Sequence, residues 1–165
     1  MTIFCILRDN YPITHNNILV GTASASYPIK NIDIYNNTVY DIETSIGFYL
    51  GTGSNKTASV ESIRFWNNVM YSEESTQLIV LDNINDAKIY NNTLVSNGVG
   101  IRTIDNTQGC KNVSILNNII KTGSLNAMSL DISSDFIIDY NNYNTQGSYV
   151  WGNRTLSDSQ SLGYD

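Results

Sequence analysis

Two cysteines, two prolines and a single histidine are all that this 165-residue chain contains of those residue types, and its basic side chains number only nine. Cys5 and Cys110 are isolated from one another and from any partner at metal-ligand spacing, which excludes a disulfide framework and favours two buried free thiols. His15 lies in an N-terminal loop with no partner in sequence, so it carries no catalytic role. Nine Lys and Arg against fifteen Asp and Glu leave a net charge of −6, and a chain without a basic stripe is no nucleic-acid binder. The acidic balance otherwise reports solubility. Ile3-Phe4-Cys5-Ile6-Leu7 is an apolar run too short for a secretory core or a membrane span, so the chain as it stands shows no signal peptide and no membrane partner and reads as cytoplasmic. That run suits one strand, either the first rung of a stack or a cap folded over its open end. No window sustains the 3.6-residue period of a helix.

What is abundant is asparagine, 23 residues of 165, and much of it is paired. Five times a short β-type stretch runs into a doubled asparagine: Asn36-Asn37, Asn67-Asn68, Asn91-Asn92, Asn117-Asn118 and Asn141-Asn142, spaced 31, 24, 26 and 24 residues apart. Apolar residues alternate before each pair, as in Ile32-Asp33-Ile34-Tyr35, and a further apolar pair follows it. Alternation means strand, and a repeat of this length means one turn of a solenoid. A two-residue hairpin turn calls for glycine, which all five bends lack. Asparagine tolerates the left-handed region and bonds nearby backbone, so it suits a sharp bend between strands of different sheets. Stacked bends would bring equivalent side chains to roughly 4.8 Å, within reach of an amide ladder. All ten paired asparagines are therefore read as turn and ladder residues. Asn16-Asn17 stands out of register.

A second column supports the coil. Ile18-Leu19-Val20-Gly21-Thr22 matches Phe48-Tyr49-Leu50-Gly51-Thr52 at a spacing of 30, and Ile79-Val80-Leu81-Asp82-Asn83, Arg102-Thr103-Ile104-Asp105-Asn106 and Met128-Ser129-Leu130-Asp131 continue it. The expected fold is all-β: a single-stranded right-handed parallel β-helix, or solenoid, of about five to six coils with three short strands per coil. Residues 1–17 form an N-terminal strand or cap segment, 18–152 the β-helix and 153–165 a tail. Exposed coil ends or a sheet face would invite a homo-oligomer.

On these residues the chain resembles the right-handed parallel β-helix repeat proteins of the pectin-lyase-like superfamily. Lys30-Asn31-Ile32-Asp33-Ile34-Tyr35-Asn36-Asn37-Thr38-Val39 reads like that family's repeat, and the likeness covers roughly residues 18 to 152. Asp139-Tyr140-Asn141, Trp151 and the stretch from Thr155 to Asp165 look like the ending of bacterial β-helix proteins, many of which continue further; the resemblance implies a piece of a larger coding region or a shortened variant. It also implies a polysaccharide partner, often outside the cell. Lyases of the superfamily often pair calcium with a Lys or Arg base, and its hydrolases use clustered carboxylates, the equipment that glycoside cleavage requires.

Three constellations are candidates for chemistry. Asp82, Asp105 and Asp131 each follow a strand of the second column, where stacking would crowd like charges unless a cation such as calcium relieves them. The alternative is a loop-opening Asp-Asn turn. Arg102 is the one basic residue close to this column, so the catalytic set of Asp82, Asp105, Asp131 and Arg102 is incomplete, and the reading leans away from an enzyme. The second constellation is aromatic: Tyr35, Trp66, Tyr90 and Tyr140, with Leu116 among them, precede the asparagine pairs on the side opposite Ile34, Phe65, Ile89 and Ile115. Such rings can bind sugar faces, stack on one another or meet a protein partner. Asp33, Arg64 and Lys88 share that face and permit one cross-strand pair. The third is Asp139, expected to face inward and bond backbone in the last coil. Five Asn-X-Ser/Thr triplets begin at Asn36, Asn55, Asn91, Asn112 and Asn153; those inside stacked bends are expected to leave no room for a glycan.

Two function classes follow. One is a carbohydrate-binding or carbohydrate-active domain, or a catalytically incomplete remnant of one. The other is a structural or interaction module that self-associates. Fold analogy alone cannot establish a reaction.

Overall fold

The computed structural model of the chain describes residues 4–5, 18–21, 29–40, 42–43, 46–51, 60–74, 76–104, 109–123, 126–131, 135–146, 149–151, 154–155 and 157. The chain enters through β1 (Phe4–Cys5) and β2 (Ile18–Gly21). Five coils of three strands follow. The first holds β3 (Ile29–Tyr35), β4 (Thr38–Val39) and β5 (Ile46–Gly51), and the second β6 (Val60–Trp66), β7 (Val69–Ser72) and β8 (Gln77–Asp82). The third has β9 (Ile84–Tyr90), β10 (Thr93–Ser96) and β11 (Ile101–Ile104), and the fourth β12 (Lys111–Leu116), β13 (Ile119–Thr122) and β14 (Asn126–Ser129). The last comprises β15 (Phe136–Asp139), β16 (Asn142–Thr145) and β17 (Tyr149–Trp151), after which β18 (Arg154–Thr155) folds back.

Equivalent strands stack into three sheets: β1-β3-β6-β9-β12-β15, then β4-β7-β10-β13-β16, and β2-β5-β8-β11-β14-β17 extended by β18. Among the described strands every pairing is parallel except β17 with β18, which is antiparallel. This is the expected parallel β-helix, and a right-handed winding is the sense that parallel crossovers take. β1 pairs with β3 through Phe4 opposite Asp33 and Cys5 opposite Ile34, so these two residues add a strand to the first sheet. Among the described residues no helix is long and apolar enough to cross a membrane.

The core is built of columns. Ile34, Phe65, Ile89, Ile115 and Ile138 stack in the first sheet, Val39, Met70, Leu94 and Ile120 in the second, and Phe48, Ile79, Ile101 and Met128 in the third, all buried. Like rests on like because each rung repeats the phase of the one before it, so a one-residue slip would turn a whole strand inside out.

The corners carry the polar chemistry. At the bend between the first and second sheets the two asparagines divide the work. Asn36, Asn67, Asn91 and Asn117 take the left-handed region, with φ of 57°, 54°, 58° and 54°, and point to solvent. That conformation costs most L-residues about 1–2 kcal/mol and asparagine less. Asn37, Asn68, Asn92 and Asn118 are 1–2% exposed and, with Asn141, form the ladder. The Nδ2 of each donates to the next Oδ1 at 2.8, 3.1, 3.0 and 2.9 Å. The same Oδ1 accepts the backbone N–H of the preceding rung at 3.1, 2.9, 3.0 and 3.0 Å. In Asn37, Asn68, Asn92 and Asn141 Nδ2 also reaches the carbonyl two residues back in its own coil, so the buried amides are satisfied without water save for Asn37 Oδ1 at the end of the ladder.

Three features were not read from the sequence. Asn31, Ser62, Asp86 and Asn112 form a second left-handed column, φ 58°, 55°, 65° and 51°, inside or at the start of the first-sheet strands. Flanking residues three apart, Val60 and Ile63 or Ile84 and Ala87, consequently both face the core. Ser72, Ser96 and Thr122 form a buried hydroxyl column at the end of the second sheet. Ser72 Oγ donates to the Ile42 carbonyl at 2.7 Å and Ser96 Oγ to that of Thr76 at 2.7 Å. Finally, Asn83, at φ 52°, carries β8 straight into β9.

The last repeat departs from the expected register. Leu116 lies opposite Asp139 and Ile115 opposite Ile138, so Ile138 is the core residue and Asp139 faces outward, half-buried, with Oδ1 accepting the Tyr140 N–H at 2.9 Å. The bend is Tyr140-Asn141: Tyr140 holds the left-handed position at φ 59° and Asn141 completes the ladder. Asn142 is a strand residue opposite Ile119. The doubled letter at Asn141-Asn142 displaces the apparent repeat by one residue, and strand parity then inverts.

Candidate functional site

Of the three aspartates of the expected column, Asp82 and Asp131 lie among the described residues. Asp82 lies opposite Gly51 on one side and Ile104 on the other, so the position level with it in the next coil is apolar; Asp105 lies outside the described residues. Asp82 is fully buried, and the Tyr49 hydroxyl donates to its Oδ2. Leu78 and Val80 of the same strand are also fully buried, so at this coil the third sheet offers no open face to a polymer. Asp131 is exposed, and its backbone N–H donates to Thr103 Oγ1 at 2.6 Å. Arg102, opposite Val80 and Ser129, donates from Nη1 to Gln77 Oε1 at 3.2 Å. Among the described residues no three His, Cys, Asp or Glu side chains gather at one point. Cys110 is buried, while His15 lies outside the described residues.

The aromatic stripe is a stack. Tyr35 and Trp66 lie with centroids 4.6 Å apart and planes 8° off parallel, and Trp66 and Tyr90 at 6.0 Å and 3°. Leu116 continues the column and Asp139 ends it, while Tyr140 leaves it for the bend, 74% exposed. Parallel rings in a column turn their faces to one another, so both faces of Trp66 are occupied by protein and a sugar meets mainly ring edges. Beside them Arg64 Nη2 and Nε reach the two oxygens of Asp33, each at 2.6 Å, and that carboxylate raises the Arg64 pKa. Lys30 pairs with Glu61 at 2.5 Å. A hollow of about 290 Å³ opens between Asn31, Ser62, Arg64, Asp86 and Lys88, with Ser62 Oγ bonded to Asp86 Oδ2 at 2.9 Å.

A second, longer concavity lies on the solvent side of the second sheet. Tyr71, Val95, Lys121 and Asn144 stand in register on β7, β10, β13 and β16. Just past the hydroxyl column come Glu73, Asn97, Gly123 and Gln146, and together the two rows wall a trough of about 440 Å³ across four coils. The Tyr71 hydroxyl donates to Glu73 Oε1 at 2.7 Å, and Asn97 Nδ2 donates to the Glu73 carbonyl. At Gly123 a Cβ would stand 2.8 Å from Asn97 Oδ1 and 3.0 Å from its Cα, so only glycine lets these turns approach. One carboxylate, one ammonium, three amides and a ring along a trough suit a ligand with many hydroxyls, each able to donate and accept. None of these residues repeats from coil to coil, which is why the sequence reading passed them over; the signal available was their common offset from the ladder asparagine.

Comparison of the chain with protein-family models, with curated proteins and with solved structures found no match.

Proposed function

We propose that this chain is a non-enzymatic carbohydrate-binding β-helix module that holds a glycan along the trough of the second sheet. The resemblance to bacterial pectin-lyase-like proteins supports the substrate class, and the trough of Tyr71, Glu73, Asn97, Lys121, Asn144 and Gln146 is the observation that carries the reading. It departs from the sequence expectation in place. The aromatic stripe is occupied by its own stacking, and Ile104, not an aspartate, lies opposite Asp82. The test is affinity electrophoresis through xylan, β-glucan, pectin and alginate, with Tyr71→Ala, Lys121→Ala and Trp66→Ala. Retardation by one polymer that Tyr71→Ala and Lys121→Ala abolish and Trp66→Ala preserves is the expected result; retardation that depends on Trp66 alone refutes the placement. Unsaturated or reducing products in the same incubations would refute the non-enzymatic reading.

A second reading has its own observation. Ile119, Ile137 and Tyr140 are 52%, 59% and 74% exposed in the last two coils, which favours a self-associating structural module. Light scattering behind size exclusion decides it: a concentration-dependent dimer that Ile137→Asp dissolves supports this reading, and a monomer at every concentration removes it.

A further inference from the structure

The bend geometry separates two asparagines that the sequence treats alike. In Asn36-Asn37-Thr38 and Asn91-Asn92-Thr93 the glycosylation triplet begins at the first asparagine, whereas the ladder uses the second. Asn36 and Asn91 are exposed, and among the described residues neither side chain has a hydrogen-bond partner. The expectation that the bends leave no room at Asn36 and Asn91 conflicts with their exposure; the buried members of the two pairs are Asn37 and Asn92, 2% and 1% exposed. Asn112, exposed as well, differs in that its Nδ2 donates to Asn85 Oδ1 at 3.1 Å; Asn55 and Asn153 lie outside the described residues.

Spacing also permits two glycans. Tyr35, Trp66 and Tyr90 are successive rungs, so Asn36 and Asn91, one residue further on, are two rungs apart, roughly 10 Å by strand spacing. Between them comes Asn67, followed by Val69, which is 43% exposed and lies opposite Thr38 and Thr93. Sugars rooted at the two acceptors would flank and cover that apolar residue.

We propose that Asn36 and Asn91 are N-glycan acceptors that the finished fold accommodates, occupied whenever the chain enters a compartment with an oligosaccharyltransferase. The donor class is a lipid-linked oligosaccharide pyrophosphate. Asn Nδ2 forms a bond to the anomeric carbon, the bond from that carbon to the pyrophosphate oxygen breaks with its electron pair on the lipid pyrophosphate, and the amide loses one proton to base. The ladder is untouched, since Asn37 and Asn92 keep their own amides.

The test is translation of the full chain, behind a cleavable secretory leader and with a reporter glycosylation triplet appended, into microsomes, followed by glycosidase digestion and peptide mass spectrometry. Reporter occupancy marks the molecules that entered. The expected result is glycan at both Asn36 and Asn91, one mobility step lost in Asn36→Gln and one in Asn91→Gln. Melting midpoints should agree within about 2 °C before and after glycosidase, given how steeply midpoint follows stability in a domain of this size. Entered molecules bare at Asn36 and Asn91 overturn the proposal, and so does glycosylated protein that has lost its cooperative transition.

Discussion

Replacing Asn92 by alanine should cost far more than replacing Asn91, although the two letters are adjacent and identical. Asn92 Nδ2 donates to the carbonyls of Phe65 at 3.0 Å and Tyr90 at 3.1 Å and to Asn118 Oδ1 at 3.0 Å. Its Oδ1 accepts from Asn68 N at 2.9 Å and Asn68 Nδ2 at 3.1 Å. Alanine deletes all five and strips the buried Asn68 N–H of its acceptor. An orphaned buried N–H costs about 1–3 kcal/mol and each further bond nets about 0.5–1.5 kcal/mol, so after relaxation the loss should be about 3–5 kcal/mol. Asn37 sits at the first rung, where its Oδ1 has no partner and its Nδ2 makes two bonds, so Asn37→Ala should cost about 1–2 kcal/mol. Asn91→Ala meets only the left-handed penalty of about 1 kcal/mol, and Asn91→Gly removes even that. Urea midpoints at constant slope measure the order. Equal losses at Asn91 and Asn92 would refute the division of labour within the pair.

Other substitutions probe the remaining columns. Gly51→Ala places a Cβ against the Asp82 carbonyl and 2.7 Å from the Asp82 Cβ, a clash with neighbouring backbone, and should lower stability by about 2 kcal/mol or more in thermal melts. Ser96→Ala removes the acceptor of the Gly98 N–H at 2.9 Å and the donor to Thr76, and should cost about 2 kcal/mol, whereas Ser96→Thr, the residue type that Thr122 already places in that column, should be tolerated in the same urea titration. Trp66→Ala breaks both ring contacts, about 0.5–1.5 kcal/mol each beyond lost burial, and should lower the melting midpoint by several degrees.

The fold was legible because its two strongest requirements leave letters in the chain: strand alternation, and an asparagine at every first corner. Ile34, Phe65, Ile89 and Ile115 were placed by parity alone, and the four bends from Asn36 to Asn118 by the paired letter. The same signal misled in the last coil. A pair marks a bend only when its second member is the ladder residue, and Asn141 holds that place with Tyr140, not Asn142, as its partner. The second left-handed column stayed hidden because Asn31, Ser62, Asp86 and Asn112 share a backbone conformation without sharing a residue type. The hydroxyl column mixes serine with threonine and sits beside turns of unequal length.

Surface sites on a solenoid are harder to read than its core, for a physical reason. The core tolerates a shift between Ile and Leu, but a site depends on which side chain lies directly across a 4.8 Å gap, about one strand spacing, from a residue more than twenty positions away. One position bears on the aspartate column: Ile104, and not an aspartate, lies level with Asp82 in the next coil. The trough assembles by the same rule. Tyr71, Lys121 and Asn144 have nothing in common along the chain except their distance from Asn68, Asn118 and Asn141, and their neighbourhood follows from the ladder that sets those three amides one above another. Loss of a rung at Asn92 would therefore disturb the trough as well as stability, because the strands that carry Tyr71 and Lys121 both pair with the strand that Asn92 introduces.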